Sequence, residues 1–434
     1  MNRRVVITGV GLISPLGNHP DTLREALFAR RSGVAALQRI PADYLPSAFG
    51  AEAREFTGDI EQFGPLEKTL QRNIKKGIKL MCREIQMGVA AAQLCLTDAG
   101  LSPDRRSSER TGVTYGSDHI MTIPEEFTDG IRNCLNAEGK FEFSRWGKDG
   151  LPKVDPMWLL RYLPNMPASH IAIYNDLRGP SNSITLREPS SNLAVAESAS
   201  TIQRDSADAM IAGATGTRIH ALRTIHVCLQ EEIARGAEGD KLSRPFDADR
   251  NGSVLGEGAG AVLLEELSHA QARQARILGE VVGYGASTVM DRNGRADLRT
   301  ALRNVLVQSL ESSGIALDKI GHIHAHGLST RASDHAEALA IRDVFGQVAV
   351  PVTAAKSYFG NLGAGSGVVE LVASLQCFAT GKLFPTLNLQ KLDTECPVNV
   401  VTSDDHPAGD SFINLNVSPQ GQASAVVVRR YQAA

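Results

Sequence analysis

Strands and helices alternating along the whole chain predict a layered α/β fold, and three stretches carry that reading. Val5, Val6 and Ile7, between Arg4 and Gly9, read as a buried strand leading into a glycine-rich loop. Over 81–99, Met81, Ile85, Val89, Ala92 and Leu96 recur at helical spacing, and Gly100 stops the helix. Residues 111–115 then read as a second strand ending at Gly116.

The later elements extend the pattern. Residues 136–156 are charged, rich in glycine and without apolar periodicity, which predicts an exposed excursion anchored by Trp146 and Trp158. Ile184, Thr185 and Leu186 form a β-like run that meets a helix opening. Pro189 suits the first helical position there, and Leu193, Val195 and Ala196 begin an apolar face. Residues 207–213 read as a strand of small and apolar side chains, and 243–252 as a polar loop. The glycines of 256–265 are not followed by Gly-Lys-Ser/Thr, so they predict a strand whose backbone crosses a neighbour closely rather than a phosphate loop. A second unit begins near Ile277, with a strand over 278–282, a helix over 298–313, a strand over 320–327 and a polar loop over 328–333. Its order echoes the first half and points to an internal duplication.

Composition narrows the function classes. At 434 residues and 42% hydrophobic content the chain buries a large core. Its 45 basic and 48 acidic residues occur without long blocks of either sign, so neither a nucleic-acid nor a membrane footprint is present. Six cysteines contain no CxxC pair, which argues against a zinc cluster or a disulfide framework and for free thiols in a reducing compartment. No apolar stretch approaches the roughly 20 residues needed to span a bilayer, and the opening lacks a signal-peptide cleavage pattern. These features place the protein in the cytoplasm.

The functional focus is Arg187-Glu188-Pro189. Glu188 sits on the turn at a helix N-terminus, where backbone N–H groups converge and the helix dipole favours negative charge. His322, His324 and His326 alternate and would share one strand face, but no fourth ligand accompanies them, so no metal is predicted.

The opening VVITGVGLISPLG, the block SRPFDADRNGSVLGEGAGAVLLEE, the loop HAHGLST and the segment AAKSYFGNLGAGSG together resemble the β-ketoacyl-acyl-carrier-protein synthase family over essentially the whole chain. That resemblance implies a thiolase-like α/β fold: two duplicated βαβαβαββ halves in an α-β-α-β-α layered arrangement. The halves would span 1–268, with cap insertions over about 116–163, and 269–434. It also implies acyl transfer to a cysteine, decarboxylation of a malonyl carrier thioester and Claisen attack by the resulting carbanion, with no cofactor.

Here the family's cysteine position holds Glu188. A carboxylate attacking a thioester would give a labile mixed anhydride, so Glu188 is expected instead to be held charged by the helix dipole and by Arg187 or Lys356. His326 matches one of the two histidines that stabilise the thioester enolate in elongating enzymes, and Asn361 stands at the second, as in the Cys-His-Asn set of initiating condensing enzymes. Lys356, Asp334 and Glu337 match the polar support around them. The family's C-terminal gate loop corresponds to Ser418, Pro419, Gln420 and Gly421, with Pro419 near the flexible glycine and Gln420 near the gating phenylalanine.

Three readings follow from the resemblance: a non-condensing partner resembling the chain-length factors of type II polyketide systems, a malonyl-carrier decarboxylase supplying an acetyl starter, or an acyltransferase with altered chemistry. All imply contact with an acyl carrier protein and a dimer, either a homodimer or a heterodimer with a Cys-containing ketosynthase. Arg72, Lys75 and Lys76 form a basic cluster that is equally a solvated face.

Overall fold

The structure, a computed structural model, describes residues 3–432. In chain order the strands are β1 (Val5–Ile13), β2 (Ala35–Ala36), β3 (Phe49–Gly50), β4 (Thr111–Ser117), β5 (Ser181–Ile184), β6 (Ala209–Thr217), β7 (Glu257–Glu266), β8 (Gly279–Thr288), β9 (His322–His324), β10 (Pro351–Thr353), β11 (Asn399–Val400), β12 (Ser411–Val417) and β13 (Gln422–Arg429). Eleven of them form one sheet in the order β11-β10-β9-β12-β13-β8-β1-β7-β6-β4-β5, while β2 and β3 pair separately.

The duplication is visible in this order. In the N-terminal part, β5-β4-β6-β7-β1, strand β4 runs parallel to β5 and β6, and β7 runs antiparallel to β6 and β1. In the C-terminal part, β10-β9-β12-β13-β8, strand β9 runs parallel to β10 and β12, and β13 runs antiparallel to β12 and β8. The succession and directions are the same, and β11 adds an edge strand. Helices Arg83–Asp98, Met166–Asn175 and Ser190–Gln203 complete βαβαβαββ in the first part; Leu298–Ser313, Arg331–Phe345 and Ser366–Thr380 do so in the second. Antiparallel pairing of Val5–Ile7 with Gly279–Val281 joins the two parts into a continuous ladder.

Packing gives the five layers. Helices Ser190–Gln203 and Ser366–Thr380 lie between the half-sheets, each touching strands of both. A helix covered on all sides needs small or apolar residues around its whole circumference. Ser366–Thr380 meets this with an unbroken buried run from Ser366 to Leu375. Arg83–Asp98 covers the outer face of β1, β6 and β7, and Leu298–Ser313 that of β8 and β13.

Several sequence expectations shift. The first strand does not stop at Gly9; it continues to Ile13, with an irregularity between Ile7 and Gly9. Its glycines allow close crossing of a helix, since a Cβ on Gly11 would lie 2.1 Å from the Ala91 carbonyl oxygen. The strand read over 320–327 contracts to His322–His324, because the residues after it are drawn into a loop by side chains described below. The β-like run at 184–186 ends at Ile184, and Pro189 is the N-cap of a helix that begins at Ser190. Around the cap, the Trp146 and Trp158 rings pack on Phe127 at centroid separations of 6.2 and 5.0 Å. Among the described residues no helix is long and apolar enough to cross a membrane.

Candidate active site

Strand β5 delivers the chain to the turn before the helix Ser190–Gln203. The Leu186 N–H donates to Ser190 Oγ at 2.8 Å, and the Ser190 N–H to the Arg187 carbonyl at 3.0 Å. Arg187 adopts φ 60°, a left-handed backbone that costs a non-glycine residue about 1–3 kcal/mol and persists only where its surroundings enforce it. Its guanidinium shows the enforcement: it is ion-paired with Glu231 and donates to Gln420 Oε1 at 3.3 Å. The turn thereby points Glu188 into the interior.

Glu188 is 1% exposed, as is Arg218, its ion-pair and hydrogen-bond partner. Asn361 Nδ2 donates to the same carboxylate oxygen at 3.0 Å, and Arg187 Nε lies 3.5 Å from the other oxygen. Arg218 also lies 3.8 Å from Glu231. Two guanidinium groups and two carboxylates thus form a neutral set at the helix N-terminus. Burial alone would push the Glu188 carboxyl up, but Arg218 and Arg187, with smaller contributions from His326 and the Asn361 amide, hold it well below the usual carboxylate range. Burial likewise opposes the charge on Arg218, and Glu188, Asp118 and Glu231 more than offset it. Glu188 is therefore an ionised, paired carboxylate at any physiological pH.

Of the two cations expected to hold Glu188, Arg187 does and Lys356 does not. Lys356 is ion-paired with the fully buried Glu370, and its Nζ lies 3.3 Å from His326 Nδ1. Asn416 completes this second pair by donating to Glu370 Oε2 at 2.8 Å. Burial pushes the His326 imidazolium pKa well down, and the Lys356 charge adds to that effect. The ring is neutral and Nδ1 accepts from Lys356, so its proton resides on Nε2, which is buried with no partner. His322 and His324 do not share the site: Ser374 Oγ engages both rings, Ala408 the first and the Ala355 N–H the second. Among the described residues no His, Cys, Asp or Glu cluster has metal-binding geometry.

Asp334 and Glu337 are buried organisers of the loop after β9. Glu337 accepts the His326 and Gly327 N–H groups at 2.6 and 2.8 Å; Asp334 accepts those of Leu328 and Ser329 at 2.9 and 3.0 Å. These bonds turn the chain out of the strand and set His326 in place. Burial raises the Glu337 carboxyl from 4.5 to about 8, so the folded protein holds a proton there that the unfolded chain releases. That contribution to stability is complete below pH 4.5 and is lost as the pH rises through about 8. Glu337→Gln should flatten the decline in unfolding midpoint across this window, and an unchanged slope would refute the assignment.

Residues 418–421 form the turn of the β12–β13 hairpin. The Ser418 N–H donates to the Gln422 carbonyl at 2.8 Å, and the Gly421 N–H to the Ser418 carbonyl at 3.0 Å. Gly421 takes φ 82°, and a Cβ there would lie 2.5 Å from the Val289 carbonyl oxygen. Pro419 is half-buried, and the exposed Gln420 reaches Arg187. The structure therefore brings Glu188, Asn361 and the Gln420 turn to one place, with His326 and Lys356 alongside. Sequence reading missed Arg218 and Glu231; an arginine directly after the small-residue strand β6 was the one available signal.

Comparison with known proteins follows the same outline. Residues 2–270 match the family model Beta-ketoacyl synthase, N-terminal domain, and residues 278–390 match Beta-ketoacyl synthase, C-terminal domain. A 3-oxoacyl-[acyl-carrier-protein] synthase 2 from Coxiella burnetii is 32% identical over 410 residues, covering 93% of this chain and 92% of its own. The ishigamide ketosynthase/chain length factor structure is similar at a TM-score of 0.85 and 24% identity, covering 100% of both chains, which bears on the fold alone. A β-ketoacyl synthase structure from Burkholderia phymatum gives a TM-score of 0.82 at 27% identity, over 99% of this chain and 100% of that one.

Proposed function

Because the chain belongs to the β-ketoacyl synthase family, we propose that it is a non-condensing partner of an active ketosynthase, resembling a chain-length factor, in fatty acid or polyketide synthesis. The observation that carries this reading is the buried Glu188–Arg218 pair, at the turn where the family resemblance puts the attacking thiolate. Acyl transfer to Glu188 would give a labile mixed anhydride instead of a thioester, and the oxygen facing Asn361 already accepts from Arg218 and from that amide. Asn361 Oδ1 in turn accepts from the Gly363 N–H and Ser366 Oγ, so its donor and acceptor are both engaged within the protein. Such a site is built to persist rather than to turn over.

A paired assembly is supported by β5, which ends the large sheet beside the Glu188 turn with Ser181 and Asn182 exposed. An open strand edge is a ready template for pairing with a second chain. We infer a dimer with a cysteine-bearing ketosynthase, and an acyl carrier protein as the shared macromolecular contact.

A second reading, decarboxylation of a malonyl carrier, draws on one observation: the unpartnered His326 Nε2–H is a donor suited to a thioester oxygen that becomes an enolate. Mass spectrometry of malonyl-loaded carrier protein from the same genome separates the two. With the purified chain the malonyl group should survive, whereas the chain co-expressed with its ketosynthase should elute as a heterodimer. Conversion of malonyl to acetyl, abolished by His326→Ala, would replace the silent-partner reading with the decarboxylase.

A further inference from the structure

Helix Ala221–Gln230 is tied to the Glu188 ion set at both ends. At its start the Thr224 hydroxyl donates to the Arg218 carbonyl at 2.7 Å and accepts the His220 N–H at 3.1 Å. At its other end the C-cap residue Glu231 lies 3.8 Å from Arg218 and is ion-paired with Arg187. We infer that this helix is a pH-sensitive brace, released when the imidazole of its N-cap residue, His220, takes up a proton.

The cap geometry carries the inference. His220 Nδ1 accepts from the Leu222 and Arg223 N–H groups at 3.2 and 3.3 Å. Only a ring nitrogen without a proton accepts, so the capping ring is neutral and carries its hydrogen on Nε2, which is buried without a hydrogen-bond partner. An oxygen cap such as asparagine or serine stays an acceptor in mild acid. An imidazolium donates from both nitrogens. Protonated Nδ1 would therefore confront two backbone donors, and the first turn of the helix would lose its cap.

The surrounding charges set the pH window. Arg223, on that first turn, opposes a second positive charge, although Asp118 lies 3.7 Å from its guanidinium. From the neighbouring segment, the Met121 carbonyl and Glu125, the latter on the short helix Pro124–Phe127, favour the imidazolium. Burial and Arg223 outweigh them and hold the ring's pKa below 6.5. A frayed helix returns the ring to water and to its ordinary pKa, so the frayed state binds the proton first. Opening is favoured progressively as the pH falls below 6.5, and the brace is unaffected above it.

This inference is independent of whether the Glu188 site is silent or decarboxylates. The test is hydrogen–deuterium exchange of the full-length chain between about pH 7.5 and about pH 5, corrected for the intrinsic pH dependence of amide exchange. Protection over 222–230 should hold down to pH 6.5 and then fall about fivefold, the equivalent of one N-cap. His220→Asn keeps an acceptor at the cap and should abolish the fall; His220→Ser serves if the asparagine variant fails to fold. Helix Ser366–Thr380 should stay protected throughout. Protection over 222–230 that is flat across the range, an equal fall in the oxygen-capped variant, or a fall shared with helix Ser366–Thr380 would each overturn the inference.

Discussion

Arg218→Met should destabilise the protein by about 3–5 kcal/mol, the loss characteristic of stripping one partner from a buried ion pair. The size follows from burial. Arg218 and Glu188 are both inaccessible to water, so removing the guanidinium strands a carboxylate that solvent cannot reach. Arg187 lies 3.5 Å from Glu188 but is also paired with Glu231, so one cation would then serve two anions. Glu188→Gln added to Arg218→Met leaves Arg187 and Glu231 as a neutral pair and should recover most of the loss. Chemical denaturation at fixed protein concentration measures all three variants. Additive losses would mean that the two groups do not act as a pair.

The sequence made much of the scaffold legible and little of this network. The helix Leu298–Ser313 was readable to the residue, because its apolar spacing and the glycine after it are local signals. The first strand was read too short because glycines suggest a loop; at Gly9 and Gly11 they instead permit close helix contact, which is a tertiary fact. The strand before His326 was read too long for a related reason. Ala325 is small and apolar and His326 continues the alternation of His322 and His324, so the run reads as unbroken, and only the carboxylates of Asp334 and Glu337, on the next helix, bend it away. Glu188, His326 and Asn361 were found through motifs. Arg218 lies in none, and its pairing with Glu188 depends on two strand ends meeting across the sheet. Lys356, the cation that the motif offered, is engaged by Glu370 at a sequence separation of 14. Of the two cations expected to hold Glu188, Arg187 thus lies 3.5 Å from it, whereas Lys356 is taken by Glu370.

Glu188→Cys should create a reactive thiol without creating a condensing enzyme. Removing the carboxylate leaves Arg187, Arg218 and Glu231, a set with one excess positive charge at a helix N-terminus, and both features favour a thiolate. The new cysteine should therefore react with a small alkylating agent at neutral pH. Cys95 and Cys377 should not, since burial pushes the first thiol well up and the second to about 12. Peptide mapping after brief alkylation reads this directly, and Glu188→Cys combined with Arg218→Gln, which removes the excess charge, should react more slowly. Condensation requires more than the thiolate. Asn361, whose Nδ2 donates to Glu188 in the parent chain, stands where the resemblance to elongating enzymes places a second histidine, and Pro419 stiffens the turn that carries Gln420, so an imidazole donor and a mobile gate remain missing. Loss of a single oxyanion donor costs about 10²–10³ in rate, so acylated Glu188→Cys should elongate a malonyl carrier at least about a hundredfold more slowly than a cysteine-bearing ketosynthase. Efficient elongation by this single variant would show that Glu188 alone silences the site, and that Asn361 and the Pro419 turn are compatible with bond formation.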